Sequence, residues 1–210
     1  MKQPNSTPTA ELMLRETASQ TAGPYVHIGL ALDVAGLPER EEEVGNQLAR
    51  SEAEGEHIEV VGTVMDGNGD LVRDALIEAW QADSHGRYQV VFDLQQPFNS
   101  FGRAATTTTG KSEWCLQTVK PGAVKRQDGK VMAPHINLAI FARGINIHLQ
   151  TRLYFADEVQ ANTVCPVLNA IESPHRRQTL IAKREEAGGK VRYRLNIRLQ
   201  GEDETVFFDF

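Results

Sequence analysis

The segment Pro134-His135-Ile136-Asn137-Leu138 holds one histidine where a metal-binding strand needs two. Alternate side chains of a β-strand share a face, roughly 6.5–7 Å apart along it, so a His-x-His pair grips one metal ion from one side. Here the pair reads His-x-Asn. An asparagine amide is a poor ligand for a transition metal, so a site built on this strand is crippled. The six histidines stand at 27, 57, 85, 135, 148 and 175, and no two have the i, i+2 or i, i+4 spacing that presents a metal-binding pair from one element. Nucleophiles are equally scarce. Ser100, Ser112 and Ser173 occupy no Gly-x-Ser-x-Gly turn, and Cys115 and Cys165 form no C-x-x-C motif and read as packed thiols of a reducing compartment.

Two further places have chemistry to offer. Arg143 follows an expected strand and precedes Gly144, at an element end where side chains reach clefts, and its guanidinium can bind a carboxylate with two parallel hydrogen bonds. Gln20-Thr21-Ala22-Gly23-Pro24-Tyr25 combines a flexible glycine, a stiff proline and an aromatic ring, which suits either a pocket wall or an ordinary turn. The acidic run Asp66-Gly67-Asn68-Gly69-Asp70 fails as a calcium loop, because Leu71 stands where glycine is required and Ile77 where a bidentate glutamate is needed. It reads as a hairpin turn.

Period-two patterning supplies the elements that position these residues. Val191, Tyr193, Leu195, Ile197 and Leu199 alternate with Arg192, Arg194, Asn196, Arg198 and Gln200, the signature of a strand with one dry face. Residues 147–155 alternate likewise. Ile136, Leu138 and Ile140 form a third apolar row, which puts His135 and Asn137 together on the other face. Further strands are expected at 57–65, 75–82, 113–119 and 205–210, and helices at 41–50, 157–170 and 176–185. Many short strands with turns between them predict a mainly β protein, an antiparallel β-sandwich with a few short helices.

At 210 residues the chain can bury one substantial core, with residues 57–210 expected to form the sandwich and 1–56 an amino-terminal arm with a loop or helical segment. A net charge of −6 and a pI near 5.5 exclude a general attraction to nucleic acid or anionic membrane. No apolar run approaches a membrane span and no signal-peptide core is visible, so a cytoplasmic protein is expected.

Taken in order, Ser19-Gln20-Thr21-Ala22-Gly23-Pro24-Tyr25, Gly62 with Asp66-Gly67-Asn68-Gly69, Glu78-Ala79-Trp80-Gln81-Ala82-Asp83, Phe101-Gly102-Arg103, Thr118-Val119-Lys120-Pro121-Gly122, Pro134-His135-Ile136-Asn137 and the terminal residues 204–210 resemble the intradiol ring-cleaving dioxygenases. The likeness is to the alpha chains of members that act on protocatechuate (3,4-dihydroxybenzoate). In that family the catalytic chain holds ferric iron with two tyrosines and two histidines. One tyrosine lies in the loop after a Gly-Arg-Tyr turn, and one follows Lys-Pro-Gly by two residues. Here Gly86-Arg87-Tyr88 leads into a loop at 89–97 without tyrosine, Val124 stands at the second position, and the histidine pair is His135 and Asn137.

The resemblance therefore implies a chain with no catalytic residue and no metal of its own, the degenerate site lying at His135, Asn137 and Val124. It implies an iron-bearing beta chain as partner, the Fe3+ bound there, the amino-terminal arm packed on that partner, larger alpha/beta particles, and an aromatic substrate opened with O2 to 3-carboxy-cis,cis-muconate. Arg143, Gly23, Pro24, Thr21 and Tyr25 are then expected along the substrate cleft, facing the partner's iron. Two alternatives stay open: a purely structural assembly subunit without substrate contact, and a self-sufficient enzyme with an unrecognised site.

Overall fold

Alternation of β-branched and leucine side chains is what builds the sheet. The computed structural model describes residues 18, 20–23, 25–30, 32, 36–38, 44–93, 95–106 and 111–209. A short helix α1 (Tyr25–Leu30) is followed by strands β1 (His57–Gly62), β2 (Val64–Met65), β3 (Leu76–Gln81), β4 (Phe101–Ala105), β5 (Trp114–Val119), β6 (Val124–Lys125), β7 (Val131–Met132), β8 (His135–Phe141) and β9 (Leu149–Phe155). Helices α2 (Val159–Val164), α3 (Pro166–Ala170) and α4 (Pro174–Gln178) then lead to β10 (Ile181–Ala187), β11 (Lys190–Arg194) and β12 (Ile197–Arg198).

Eight strands form one sheet in the order β4-β3-β8-β9-β10-β11-β1-β5. Neighbours are antiparallel except β9 with β10 and β11 with β1. The sheet closes nearly on itself because β10 changes partner along its length: Ile181 and Ala182 pair with β9, and residues 183–187 pair with β11. A strand shared in this way turns the corner between two packed layers. The layers β4-β3-β8-β9 and β11-β1-β5 enclose a core that includes Val60, Ile77, Trp114, Leu116, Ile136, Leu138, Ile140, Leu153 and Phe155, all fully buried. Phe155 meets Tyr193 across the layers edge to face, with centroids 4.8 Å apart.

The remaining gap, between edge strands β4 and β5, is bridged by residues 45–50. Leu48 N and Ala49 N both donate to Gln117 O on one side, while Arg103 N donates to Gly45 O and Asn99 N to Leu48 O on the other. Unpaired backbone groups on both edges thereby find partners. Leu48 is buried under this seam, and a Cβ at Gly102 would lie 2.4 Å from its Cδ1, so this position of β4 has room only for glycine. A similar close approach explains Gly122, where a Cβ would lie 2.5 Å from Ser84 O.

Several expected elements differ. Residues 44–50 are extended rather than helical, residues 41–43 lying outside the described set, because pairing with two sheet edges outweighs a weak helical pattern. The helix expected at 176–185 ends in α4, and 181–187 is strand β10, its helix-forming Lys183, Arg184, Glu185 and Glu186 captured by β11 after Ile181 and Ala182 pair with β9. The strand expected at 205–210 is reduced to one bridge between Phe208 and Gln150, with Phe210 outside the described residues. The run 66–70 is the expected hairpin turn: Asp66 Oδ1 accepts from the amides of Asn68 and Asp70, each at 2.9 Å. Among the described residues no helix is long and apolar enough to cross a membrane.

Candidate functional site

Strand register brings the polar face of β8 against matching positions of β3 and β9. Asn137 lies opposite Trp80 of β3 and Arg152 of β9, and His135 lies opposite Tyr154. One face of three adjacent strands thus presents Trp80, Asn137 and Arg152 in a row, with His135 and Tyr154 one row along. The Tyr88 ring stacks on Trp80 at 5.8 Å, and its hydroxyl accepts a hydrogen bond from Asn137 Nδ2 at 3.3 Å. Asn137 Nδ2 also donates to Trp80 O at 3.1 Å. Val124 is buried on β6 and pairs with Met132 of β7, whose sulfur takes a hydrogen bond from Arg152 Nη1 at 3.5 Å.

His135 keeps the form of a metal ligand. It is 1% exposed, and its Nδ1–H donates to Ala133 O at 2.7 Å, which leaves the Nε2 lone pair buried and without a hydrogen-bond partner among the described residues. Burial, aided by the positive charge of Arg152, pushes its pKa down to about 4, so the ring is neutral. Its surroundings do not fit a ferric ion. Asn137 Nδ2 is engaged as a donor to Trp80 O and the Tyr88 hydroxyl, and Val124 has no donor atom. Among the described residues no three His, Cys, Asp or Glu side chains converge. Both cysteines are free, Cys165 being fully buried and Cys115 having its thiol pushed up by burial.

The other cluster forms past the far end of β8. Thr21 bridges Asn146, Ile147 N donates to Gln20 O at 2.8 Å, and Gly144 N donates to Thr21 Oγ1 at 2.9 Å. The amino-terminal segment is therefore stitched to the loop that carries Arg143. Arg143 is 65% exposed and pairs through Nε with the Asp74 carboxylate, itself only 14% exposed just before β3. The two Nη groups of Arg143 take no hydrogen-bond partner among the described residues. Gly23 O accepts from Val26 N at 3.2 Å as the chain enters α1, and Tyr25 is 80% exposed. Pro24 lies outside the described residues.

The structure thus ties Thr21 to the loop that carries Arg143, shows no contact of Gly23 or Tyr25 with that loop among the described residues, and brings His135, Asn137 and the β6–β7 hairpin of Val124 together elsewhere. At about 3.3 Å per residue, the four strand steps from Asn137 to Phe141, just before Arg143, put the two groups more than about 13 Å apart along β8. Three residues of these sites were not singled out from the sequence. Arg152 was visible only as a polar member of a strand and Tyr88 only as part of a turn motif, since strand register places the first beside Asn137 and packing on Trp80 the second. Asp74 carries no local signal at all.

The family model Dioxygenase_C, described as dioxygenase, matches residues 35–201. The protocatechuate 3,4-dioxygenase alpha chain of Pseudomonas putida is 64% identical over 198 residues, covering 94% of this chain and 98% of that one. The protocatechuate 3,4-dioxygenase beta chain of Burkholderia cepacia is 31% identical over 172 residues, covering 76% and 71%. Among solved structures, catechol 1,2-dioxygenase from Pseudomonas arvilla C-1 superposes with a TM-score of 0.57 at 16% identity, covering 87% of this chain and 72% of that one, a likeness of fold. A nearly closed β-sheet, the family match over residues 35–201 and this identity along almost the whole length place the chain in the dioxygenase family, among the protocatechuate 3,4-dioxygenase alpha chains.

Proposed function

We propose that this chain is the non-iron-binding alpha subunit of a cytoplasmic, heteromeric ferric dioxygenase that cleaves 3,4-dihydroxybenzoate with O2 to 3-carboxy-cis,cis-muconate. Its partner is a protocatechuate 3,4-dioxygenase beta chain, on which residues 1–56 pack, and the pairs assemble further. The iron, held by the beta chain, supplies the activation of the catechol and of O2. This chain supplies the far wall of the substrate cleft. The substrate's ring carboxylate is costly to bury without a cation, and Arg143 offers one whose Nη fork is open while Nε is held by Asp74.

One observation carries the reading. Arg143 is exposed beyond the end of β8, away from Asn137, with its Nη groups without a partner among the described residues, which supports a cleft completed by another chain. Gly23 supports it as well, since a Cβ there would meet nothing within 4 Å among the described residues, leaving space for an approaching ligand or partner. Thr21 fixes the loop on which Arg143 sits, and Pro24 and Tyr25 complete the wall.

A second reading, an assembly subunit without substrate contact, draws on the same ion pair, because Asp74 already satisfies part of the guanidinium. Kinetics of Arg143→Ala in the alpha/beta complex separate the two. Losing charge-assisted hydrogen bonds of about 1.5–3 kcal/mol raises KM for protocatechuate roughly 10- to 150-fold, with iron content unchanged. A KM equal to that of the native complex leaves only the assembly role.

A further inference from the structure

The pocket around His135 has lost ligands, but it has also gained a cation. Arg152 reaches into it from β9, directly opposite Asn137 in the ladder. Its Nη1 donates to Met132 Sδ at 3.5 Å beside Val124, its guanidinium lies 5.9 Å from the Phe208 ring, and it hydrogen-bonds the buried Tyr154 phenol. Its charge is felt by His135, Tyr88 and Tyr154, the three titratable side chains that line the site. One neutral imidazole therefore points a buried, unpartnered lone pair into a space governed by an arginine.

We propose that Arg152 locks this pocket, its guanidinium taking the place of a metal cation and keeping the site packed and metal-free even when a second histidine is supplied. Two features of the site make the lock necessary. His135 retains the tautomer and burial of a ligand, and the Tyr88 hydroxyl lies 3.3 Å from the Asn137 amide, so a change to histidine at 137 would set a second imidazole beside that phenol on the strand face His135 shares. A guanidinium neighbour opposes any cation entering there and occupies the volume it would need. Removing it should open a site of two nitrogens and, on loss of the Tyr88 proton, one phenolate oxygen. The lock needs no beta chain, so it stands apart from the subunit reading above.

The test uses the full-length chain with cobalt(II) as probe, read by its visible ligand-field bands and by metal analysis after gel filtration. Native chain and Asn137→His are expected to retain no cobalt, whereas Asn137→His with Arg152→Gln retains about one equivalent and binds it at least ~100-fold more tightly than Asn137→His alone. Asn137→His with Arg152→Lys keeps the cation and stays metal-free. Should the glutamine variant fail to fold while the lysine variant folds without metal, the cation is shown to hold the pocket together, which supports the lock. Cobalt binding by Asn137→His alone as tight as by the double variant overturns it. So does a folded Asn137→His, Arg152→Gln chain that binds no better than Asn137→His, or a lysine variant that takes up cobalt.

Discussion

Asp74 is the residue on which the behaviour of Arg143 depends. Its carboxylate is largely buried and pairs with Nε, which restrains the guanidinium while the Nη groups take no partner among the described residues. A pre-organised fork loses less conformational freedom on binding a second carboxylate than a mobile one. In the alpha/beta complex, Asp74→Asn keeps the shape but removes the charge, and KM for protocatechuate should rise several-fold, by less than in Arg143→Ala, with kcat changed little. The double variant should match Arg143→Ala alone, because Asp74 acts only through the arginine. Additive effects of the two substitutions on KM would show that Asp74 has some separate role. Thr21 works on the same loop through its acceptance from Gly144 N, so the arginine is positioned from both sides.

Among the elements, the seam at 45–50 is the least expected and the most sensitive to a small change. Leu48 inserts under β4 where Gly102 leaves room, and the same segment satisfies backbone groups of Gln117, Asn99 and Arg103. Gly102→Ala forces Leu48 to move within a packed region, at a cost of about 1–3 kcal/mol. The check is thermal unfolding, and an unchanged Tm would mean that the seam is loosely packed. Combining Gly102→Ala with Leu48→Ala should cost less than the sum of the two single changes, since the new methyl enters the space the leucine vacates. Strand β10 shows how far such contacts outweigh local preference. Its Lys-Arg-Glu-Glu run favours helix in isolation, yet it serves as the corner that both layers share.

At the scale of the molecule, ionic ties join the layers of the sandwich. Asp157, just after β9, accepts from Lys120 Nζ at 2.8 Å and from Tyr193 OH at 2.8 Å, linking the β9 layer to the β5 and β11 layer. Burial works against its carboxylate, but the hydrogen bonds from Lys120 and Tyr193 outweigh it and hold the pKa below the ordinary 3.8. Hydrogen bonds from Lys190 and Arg192 hold Glu59 of β1 below its ordinary 4.5. Both carboxylates bind protons more readily unfolded than folded. Their stabilisation is therefore complete above those ordinary values and is lost as pH falls through the lower folded ones. Urea midpoints should be flat from neutral pH to about 5 and decline below it. Lys120→Met should lower the neutral-pH midpoint and shrink the acid decline, and a decline as steep as that of the native chain would assign it to other carboxylates.

By themselves the residues determined the alternating strands, the hairpin at 66–70 and the lack of a second imidazole at 137 or any donor at 124, because each of these is written in side-chain type and local spacing. Period two needs no knowledge of a neighbour, and a valine lacks a donor in any fold. Only the tertiary structure decided that Arg152 stands opposite Asn137, that Asp74 holds Arg143, that Gln20 and Thr21 lie against the 142–147 loop, and that 181–187 is a strand. Those facts depend on register and on contacts between segments far apart in the chain, where the free energy of pairing and burial exceeds the small local preferences a sequence displays.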